Sequence, residues 1–326
     1  MANISAENLN TSSVKFSEII LQTVKIARPT HWVKNLAIFA ALAFSGNLFN
    51  KVLLGKTLVA FFSFSFAASA TYIFNDIKDI KLDQIHPIKR MRPIAANKLP
   101  LLVAKFAIFY FLLASFFIST KLNPLFLLML IGYAFLQLAY SLGLKNLPIV
   151  DILVIATGFI IRVYAGAFVI DAHLSVWFLL CVISLALFLA SGKRRAELGV
   201  VSAIQKTTRK SLARYPRVLL DAYVTMFGNA AWLSWAIFTF FESPPASTPV
   251  WLFLAELSRT TAISKLLMIT IPVVIFGIMR YQALIFQNRT EAPEKLFLTD
   301  KPLVFASILW ITMVVFILYG GVVAPS

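Results

Sequence analysis

Thr57-Leu58-Val59-Ala60-Phe61-Phe62-Ser63-Phe64-Ser65-Phe66-Ala67-Ala68-Ser69-Ala70-Thr71-Tyr72-Ile73-Phe74 runs directly into Asn75-Asp76-Ile77-Lys78-Asp79-Ile80-Lys81-Leu82-Asp83. The first part carries no charge and approaches the roughly 20 residues that an α-helix needs to cross a bilayer. The second part places three aspartates within eight residues at the end of that helix. If the helix continues, Asp76, Asp79 and Asp83 fall at i, i+3 and i+7 on one face, and Asn75 lies four residues before Asp79. Clustered oxygen ligands suit a hard cation such as Mg²⁺, which takes one or two carboxylates and leaves its other positions to phosphates and water. The stretch that follows, His86-Pro87-Ile88-Lys89-Arg90-Met91-Arg92-Pro93, is as basic as this one is acidic. Carboxylates for a metal beside cations for phosphate describe a pyrophosphate site. The competing reading is a solvated helix end whose charges pair among themselves; the spacing, the membrane-side position and the basic neighbour weigh against it.

Working outward, the 326 residues are 60% hydrophobic with a mean hydropathy of +0.83, outside the range of a soluble globular protein. Long uncharged runs recur, and roughly 10-residue alternating segments of the kind that build a β-barrel do not. The reading is an all-α polytopic membrane protein with nine spans, near 33–50, 57–75, 101–120, 124–142, 148–170, 174–192, 218–241, 263–281 and 302–321. Before them, residues 14–34 suit a short interfacial helix broken at Pro29, with Trp32 as an aromatic anchor. Residues 1–27 form a polar to amphipathic segment without a signal peptide's apolar core. We take 1–326 as one domain.

Nine spans divide the Lys and Arg residues unequally. Of 30 in all, 23 fall on the side of the N-terminus and the Asp-rich segment and five on the other. The positive-inside rule makes the first side cytoplasmic. The formal charge of +16 therefore speaks of topology and anionic lipid, and not of nucleic acid. The single cysteine, Cys181, allows no intrachain disulfide.

Other charged positions carry two readings each. Gly192-Lys193-Arg194-Arg195-Ala196-Glu197 closes the sixth span; its cations serve either as a topological anchor or as phosphate ligands, and Glu197 can orient one of them. Lys145, after Tyr140-Ser141-Leu142-Gly143-Leu144, is either an anchor or a site residue. Arg162 lies mid-span, where an arginine costs about 2.5–3.5 kcal/mol on insertion scales and faces the bundle interior. A pairing with Asp151, eleven residues away, would need a third element. His31, His86 and His173 share no metal-ligand spacing, and no nucleophile–histidine arrangement or glycine-rich phosphate loop is present.

Asn75-Asp76-x-x-Asp79-x-x-x-Asp83 after the second of nine spans resembles the UbiA-type superfamily of intramembrane prenyltransferases. Arg28-Pro29-Thr30-His31-Trp32-Val33-Lys34-Asn35, the His86 to Ala95 run, Tyr140 to Lys145 and Gly192 to Leu198 are similar to its decaprenyl-phosphate phosphoribosyltransferase branch. So are Arg280-Tyr281, Ala292-Pro293-Glu294 and Asp300. The resemblance implies a helical bundle around a central cavity open to the cytoplasmic side of a bacterial cytoplasmic membrane. It implies Mg²⁺-dependent transfer of 5-phosphoribosyl from phosphoribosyl pyrophosphate to a polyprenyl phosphate, with Asp76, Asp79 and Asp83 catalytic and, with Asn75, holding the metal. Lys34, Asn75, Lys89, Arg90, Arg92, Tyr140, Lys145, Arg162, Lys193, Arg194 and Glu197 are the implied substrate-binding set, and a homo-oligomer is left open. The family's usual second Asp-rich motif is replaced here by Lys193, Arg194, Arg195 and Glu197, which suits a donor with more phosphate to hold. An aromatic prenyltransferase using a prenyl diphosphate is the alternative, and a lipid or solute transporter stands behind it.

Overall fold

The computed structural model describes residues 16–86, 88–204, 214–242, 261–287 and 296–320. Pro87, the 243–247 loop, Lys206, Arg209, Lys210 and the Ala292-Pro293-Glu294 run fall outside them. Among the described residues every regular element is helical, with no strand. In chain order they form α1 (Phe16–Ala27), a 3₁₀ segment (Pro29–Ile38) leading into α2 (Phe39–Phe44), α3 (Lys51–Lys78), α4 (Ile80–Ile85), α5 (Leu101–Ser119) and α6 (Pro124–Leu142). There follow α7 (Val150–Val169), α8 (Val176–Ile204), α9 (Arg217–Phe241), a 3₁₀ segment (Thr261–Thr270) into α10 (Ile271–Phe286), α11 (Leu296–Thr299) and α12 (Lys301–Tyr319). Eight of these stretches are long and apolar enough to cross a membrane.

Local chemistry sets several boundaries. The Asn50 side chain accepts from Val52 N and Leu53 N at 3.1 and 3.2 Å to start α3. Asn123 accepts from Leu125 N at 2.8 Å, with Pro124 at the first helical position of α6. Asp300 accepts from Leu303 N at 3.0 Å to start α12. Each satisfies a backbone donor that the helix itself leaves without a partner.

The first expected span takes a different form. Residues 29–44 are a 3₁₀ stretch and a six-residue helix, packed against α3 and α7 rather than standing as a regular α-helix. Gly166 on α7 explains the close approach: a Cβ there would lie 1.9 Å from the Ile38 carbonyl oxygen. Trp32 Nε1 donates to Ser69 Oγ at 3.0 Å, and Ser69 Oγ donates to the Ala27 carbonyl at 2.8 Å, so α3 pins both ends of the turn. The sixth span also differs from expectation. α8 continues past residue 192 to Ile204, so Lys193 to Glu197 stand on a helix instead of following one.

Small residues bring the bundle together, as expected where lipid supplies no hydrophobic drive between helices. Ala60, Phe64, Ala67 and Ala68 of α3 pack with Tyr133 of α6 and Ala165 of α7. Ser63 and Ser115 exchange hydroxyl-to-carbonyl bonds of 2.9 and 2.7 Å between α3 and α5. Outward-facing Phe106, Phe109, Phe117 and Phe135 leave α5 and α6 apolar toward lipid. A cavity of about 420 Å³ with an almost wholly apolar lining lies among α2, α7, α8, α9, α10 and α12, walled by Phe44, Phe178, Phe188, Trp235, Tyr281 and Trp310.

Candidate active site

α3 ends at Lys78, and Asp79 has φ −97° and ψ 9°, so the helix breaks within the acidic motif before α4 begins. The break corrects the expectation of one continuous carboxylate face and divides the motif into two groups. In the first, Asp76 is 2% exposed and receives Arg28 Nη2 at 2.5 and 2.7 Å and Arg92 Nη1 at 3.0 Å. The same Arg92 nitrogen donates to Asp83 Oδ2 at 2.6 Å. In the second, Lys145 Nζ donates to the two Asp79 oxygens at 2.6 and 2.7 Å and to Asn75 Oδ1 at 3.2 Å, while Asn75 Nδ2 reaches Asp79 at 3.1 Å. Lys145 is buried on the turn after α6, not a loop cation facing solvent.

Arg28 was quoted in the sequence only as part of a motif, yet it contacts the most buried aspartate of the cluster. It holds the left-handed conformation, φ 53° and ψ 59°, directly before Pro29, and its guanidinium lies 5.5 Å from the Tyr72 ring centre. Left-handed backbone in a residue with a Cβ costs about 1–2 kcal/mol and persists where its surroundings demand it. No propensity argument reveals this position; only the fold brings it to Asp76.

Burial pushes the Asp83 carboxyl above its usual range, and Arg92 works against that shift. Burial, with the nearby Lys89 and Arg92 charges, lowers His86 to about 4. Its Nδ1 accepts the backbone N–H groups of Ile88 and Lys89 at 3.2 and 3.3 Å, so the ring shapes the turn that presents Lys89 to Arg92. Lys34 and Lys89 are half-buried, and Arg90 is exposed.

A third group lies in the C-terminal half of α8. The Arg194 side chain is fully buried, its Nη1 on Glu197 and its Nη2 donating to Tyr140 Oη at 2.5 Å. Asp151 Oδ2 lies 2.7 Å from Arg194 Nε, a charge contact and not a hydrogen bond, because the N–H is not aimed at that oxygen. Arg195 Nε donates to Asp221 of α9. Tyr215, which sequence reasoning passed over, donates to Asp151 Oδ1 at 2.7 Å and accepts the Ile149 N–H. Burial raises the Tyr215 hydroxyl's pKa, keeping its proton on. The Glu197 charge works against the lowering of the His86 pKa by burial and the nearby cations.

Arg162 is elsewhere. It donates to Asn35 Oδ1 at 2.7 Å, to Tyr133 Oη at 3.0 Å and to the Gly158 carbonyl, between the Phe64, Tyr133 and Phe159 rings. Asp151 pairs with Arg194 and Tyr215 instead of Arg162, and Arg162 braces the first segment through Asn35.

The donors at the motif are all oxygens, as a hard divalent cation requires. Among the described residues no three His, Cys, Asp or Glu side chains converge closely enough to hold a metal by themselves. The expected set of Asn75, Asp76, Asp79 and Asp83 is thus not a closed cage. Two carboxylates meeting on one cationic nitrogen do fit an ion that takes one or two carboxylates and completes its shell with phosphate and water.

The sequence model of the UbiA prenyltransferase family matches residues 35–309. The chain belongs to that family. Decaprenyl-phosphate phosphoribosyltransferase of Corynebacterium glutamicum is 33% identical over 303 residues, covering 91% of this chain and 86% of the relative. The enzyme of the same name from Mycobacterium tuberculosis is 32% identical over 302 residues, covering 91% and 94%. That of Mycolicibacterium smegmatis is 34% identical over 292 residues, covering 88% and 89%. A UbiA homolog from Archaeoglobus fulgidus, solved with GPP and Mg²⁺, superposes with a TM-score of 0.65 at 16% identity over 91% of this chain and 99% of that one. The same homolog solved with Cd²⁺ gives 0.60 at 16% identity, with the same coverage. This UbiA chain therefore shares the family fold with proteins of distant sequence.

Proposed function

We propose that the protein transfers 5-phosphoribosyl from phosphoribosyl pyrophosphate to a polyprenyl phosphate and releases pyrophosphate. The observation that carries this is the 32% to 34% identity with three enzymes of that name over 88% to 91% of the chain. The charges at the α3 end and the apolar cavity of about 420 Å³ support it by matching an anionic donor and an isoprenoid acceptor.

In the reaction, the bond between the ribose anomeric carbon and a pyrophosphate oxygen breaks, and that carbon joins an oxygen of the lipid phosphate. Asp76 and Asp83, with Asn75 and Asp79 beside them, are the residues that would hold Mg²⁺, whose chemistry when bound is neutralisation of pyrophosphate charge. Lys89, Arg90 and Arg92 hold the pyrophosphate, the arginines bidentately. Lys145, buried against Asp79, keeps that carboxylate oriented. The lipid phosphate, with a second pKa of about 6, is largely ionised at neutral pH and needs no strong general base. His86, its Nδ1 already accepting backbone N–H groups, is a poor base and is not called on as one.

Phosphoribosyl pyrophosphate also carries a 5-phosphate at the far end of its sugar. Lys193 is the residue we assign to it; Arg194, expected in the substrate-binding set, takes a bracing role instead, because its side chain is fully buried with both Nη atoms bonded to protein oxygens and its Nε 2.7 Å from Asp151. Lys34 stays within the substrate-binding set, and Tyr140, which accepts from Arg194, belongs to the brace. We read the 29–44 segment as the ninth crossing: a 3₁₀ rise of about 2.0 Å and an α rise of about 1.5 Å per residue give it a reach of roughly 29 Å. The charge distribution supports a cytoplasmic active site in a bacterial cytoplasmic membrane.

The test is a membrane assay with labelled phosphoribosyl pyrophosphate and polyprenyl phosphate. A chloroform-soluble labelled product that requires Mg²⁺ is expected; prenylation of an aromatic acceptor in its place overturns the reading. For orientation, with Cys181→Ser as background, a cysteine at Lys81 labels from the cytoplasm and one at Lys121 from the other side. Labelling of both from one face breaks the nine-crossing count.

A further inference from the structure

Lys193 and Glu197 stand four residues apart on α8, the spacing at which a lysine and a glutamate pair. They do not pair. Among the described residues the half-buried Lys193 makes no ion pair, and Glu197 is held by Arg194. Arg194 is fixed from two other directions, one of them braced in turn. Tyr140 of α6 accepts from it, Asp151 of α7 lies 2.7 Å from its Nε, and Tyr215, ahead of α9, holds the other Asp151 oxygen at 2.7 Å. Tyr215 also receives the N–H of Ile149, which holds a φ of 69°, a rare conformation for a β-branched side chain. Backbone strain of this kind persists where the surroundings over-determine it. Arg194 and Asp151 are both fully buried, so neither presents a group to a ligand.

We propose that Asp151 and Tyr215 are positioning residues that lock Arg194 onto Glu197, and that this capture keeps Glu197 from neutralising Lys193, whose ammonium is thereby presented to a sugar phosphate. The inference deepens the proposed function and rests on it for the identity of that phosphate as the donor's 5-phosphate. Arg194 acts as a decoy cation beside the working one.

Asp151→Asn with Arg194→Gln removes both members of the buried pair together and ends the Arg194 capture of Glu197, which can then turn to Lys193. Ribose 5-phosphate is the probe, titrated calorimetrically into detergent-purified protein, with the thermal midpoint reporting the fold. The double variant should bind roughly three- to tenfold more weakly, more than the roughly twofold of an exposed i, i+4 pair because Lys193 is half-buried. Adding Glu197→Gln should restore affinity to within about twofold of the parent, a rescue that a merely structural brace would not give. Lys193→Gln should weaken the parent by a similar factor and the double variant hardly at all. Should the double variant fail to fold, Tyr215→Phe, which removes one hydroxyl, must weaken binding and be rescued by Glu197→Gln. Unchanged affinity in the folded double variant, loss without rescue, or a parent that binds independently of Lys193 overturns the proposal. A parent that binds through Lys193 but makes no labelled lipid from phosphoribosyl pyrophosphate overturns the function and leaves the capture standing.

Discussion

Lys145→Met is the most direct measure of how far the acidic motif depends on its cations. The ammonium lies 2.6 and 2.7 Å from the two oxygens of Asp79, and the side chains are only 8% and 14% exposed. Methionine keeps the stem's volume and removes the charge, leaving Asp79 with the Asn75 amide at 3.1 Å as its remaining partner in this group. Breaking a buried pair by removing one member costs about 3–5 kcal/mol, and the residual exposure of Asp79 points to the lower end, about 3 kcal/mol. Asp79→Asn should cost a comparable amount by removing the carboxylate from beside the buried ammonium. The double variant should cost far less than the two together, with a coupling of at least about 2 kcal/mol. Unfolding of each variant in mixed micelles, followed by far-ultraviolet circular dichroism, supplies the cycle. Losses below about 1 kcal/mol that simply add would refute the buried pair and return Lys145 to the status of a topological anchor.

Three further outcomes follow from the geometry. Asp76→Asn and Asp83→Asn should each abolish transfer in protein that still purifies as a folded species; activity within about threefold of the parent, still needing Mg²⁺, removes that residue from the site. Gly166→Ala should prevent stable assembly, since its methyl would lie 1.9 Å from a backbone oxygen that cannot swing away; a parent-like thermal midpoint would show that the first segment does not approach α7 this closely. Asp300→Ala should cost about 1 kcal/mol through loss of the α12 cap, and Asp300→Asn much less. The Arg280 hydrogen bond lowers the Asp300 pKa, so its contribution is present above the unfolded value near 3.9 and is lost as pH falls through the lower folded value. A parent that matches Asp300→Asn in acid stability down to that range would contradict the pairing.

The helical membrane architecture was legible because bilayer thickness writes itself into the chain as long uncharged runs, and the caps Asn50, Asn123 and Asp300 sit where those runs begin. The 29–44 segment was not legible as a 3₁₀ stretch, because its geometry is imposed by Gly166 more than a hundred residues later. At the candidate site, the pairing of acidic with basic residues was legible by type: Asp76 and Asp83 meet Arg92, and Asp79 meets Lys145. Which cation meets which aspartate did not follow, since the break at Asp79 turns that carboxylate toward Lys145 and leaves Asp76 and Asp83 to Arg92. Arg28, Asp151 and Tyr215 carried no local signal of their roles. A charged or phenolic side chain earns such a role only through partners on other helices.

The pairing of Asp79 with Lys145 also bears on how the protein is made. The two residues are 66 positions apart, with α5 and α6 between them. At roughly 5–20 residues per second, a ribosome needs about 3–13 seconds after making the aspartate before it makes the lysine. Throughout that interval the end of α3 must stay at the water surface, because an unpaired carboxylate cannot follow its helix into lipid. Until α6 delivers Lys145, the charge of Asp79 joins those of Lys78 and Lys81 in favouring the water surface for this end of α3, and the finished pair removes the carboxylate's share of that constraint.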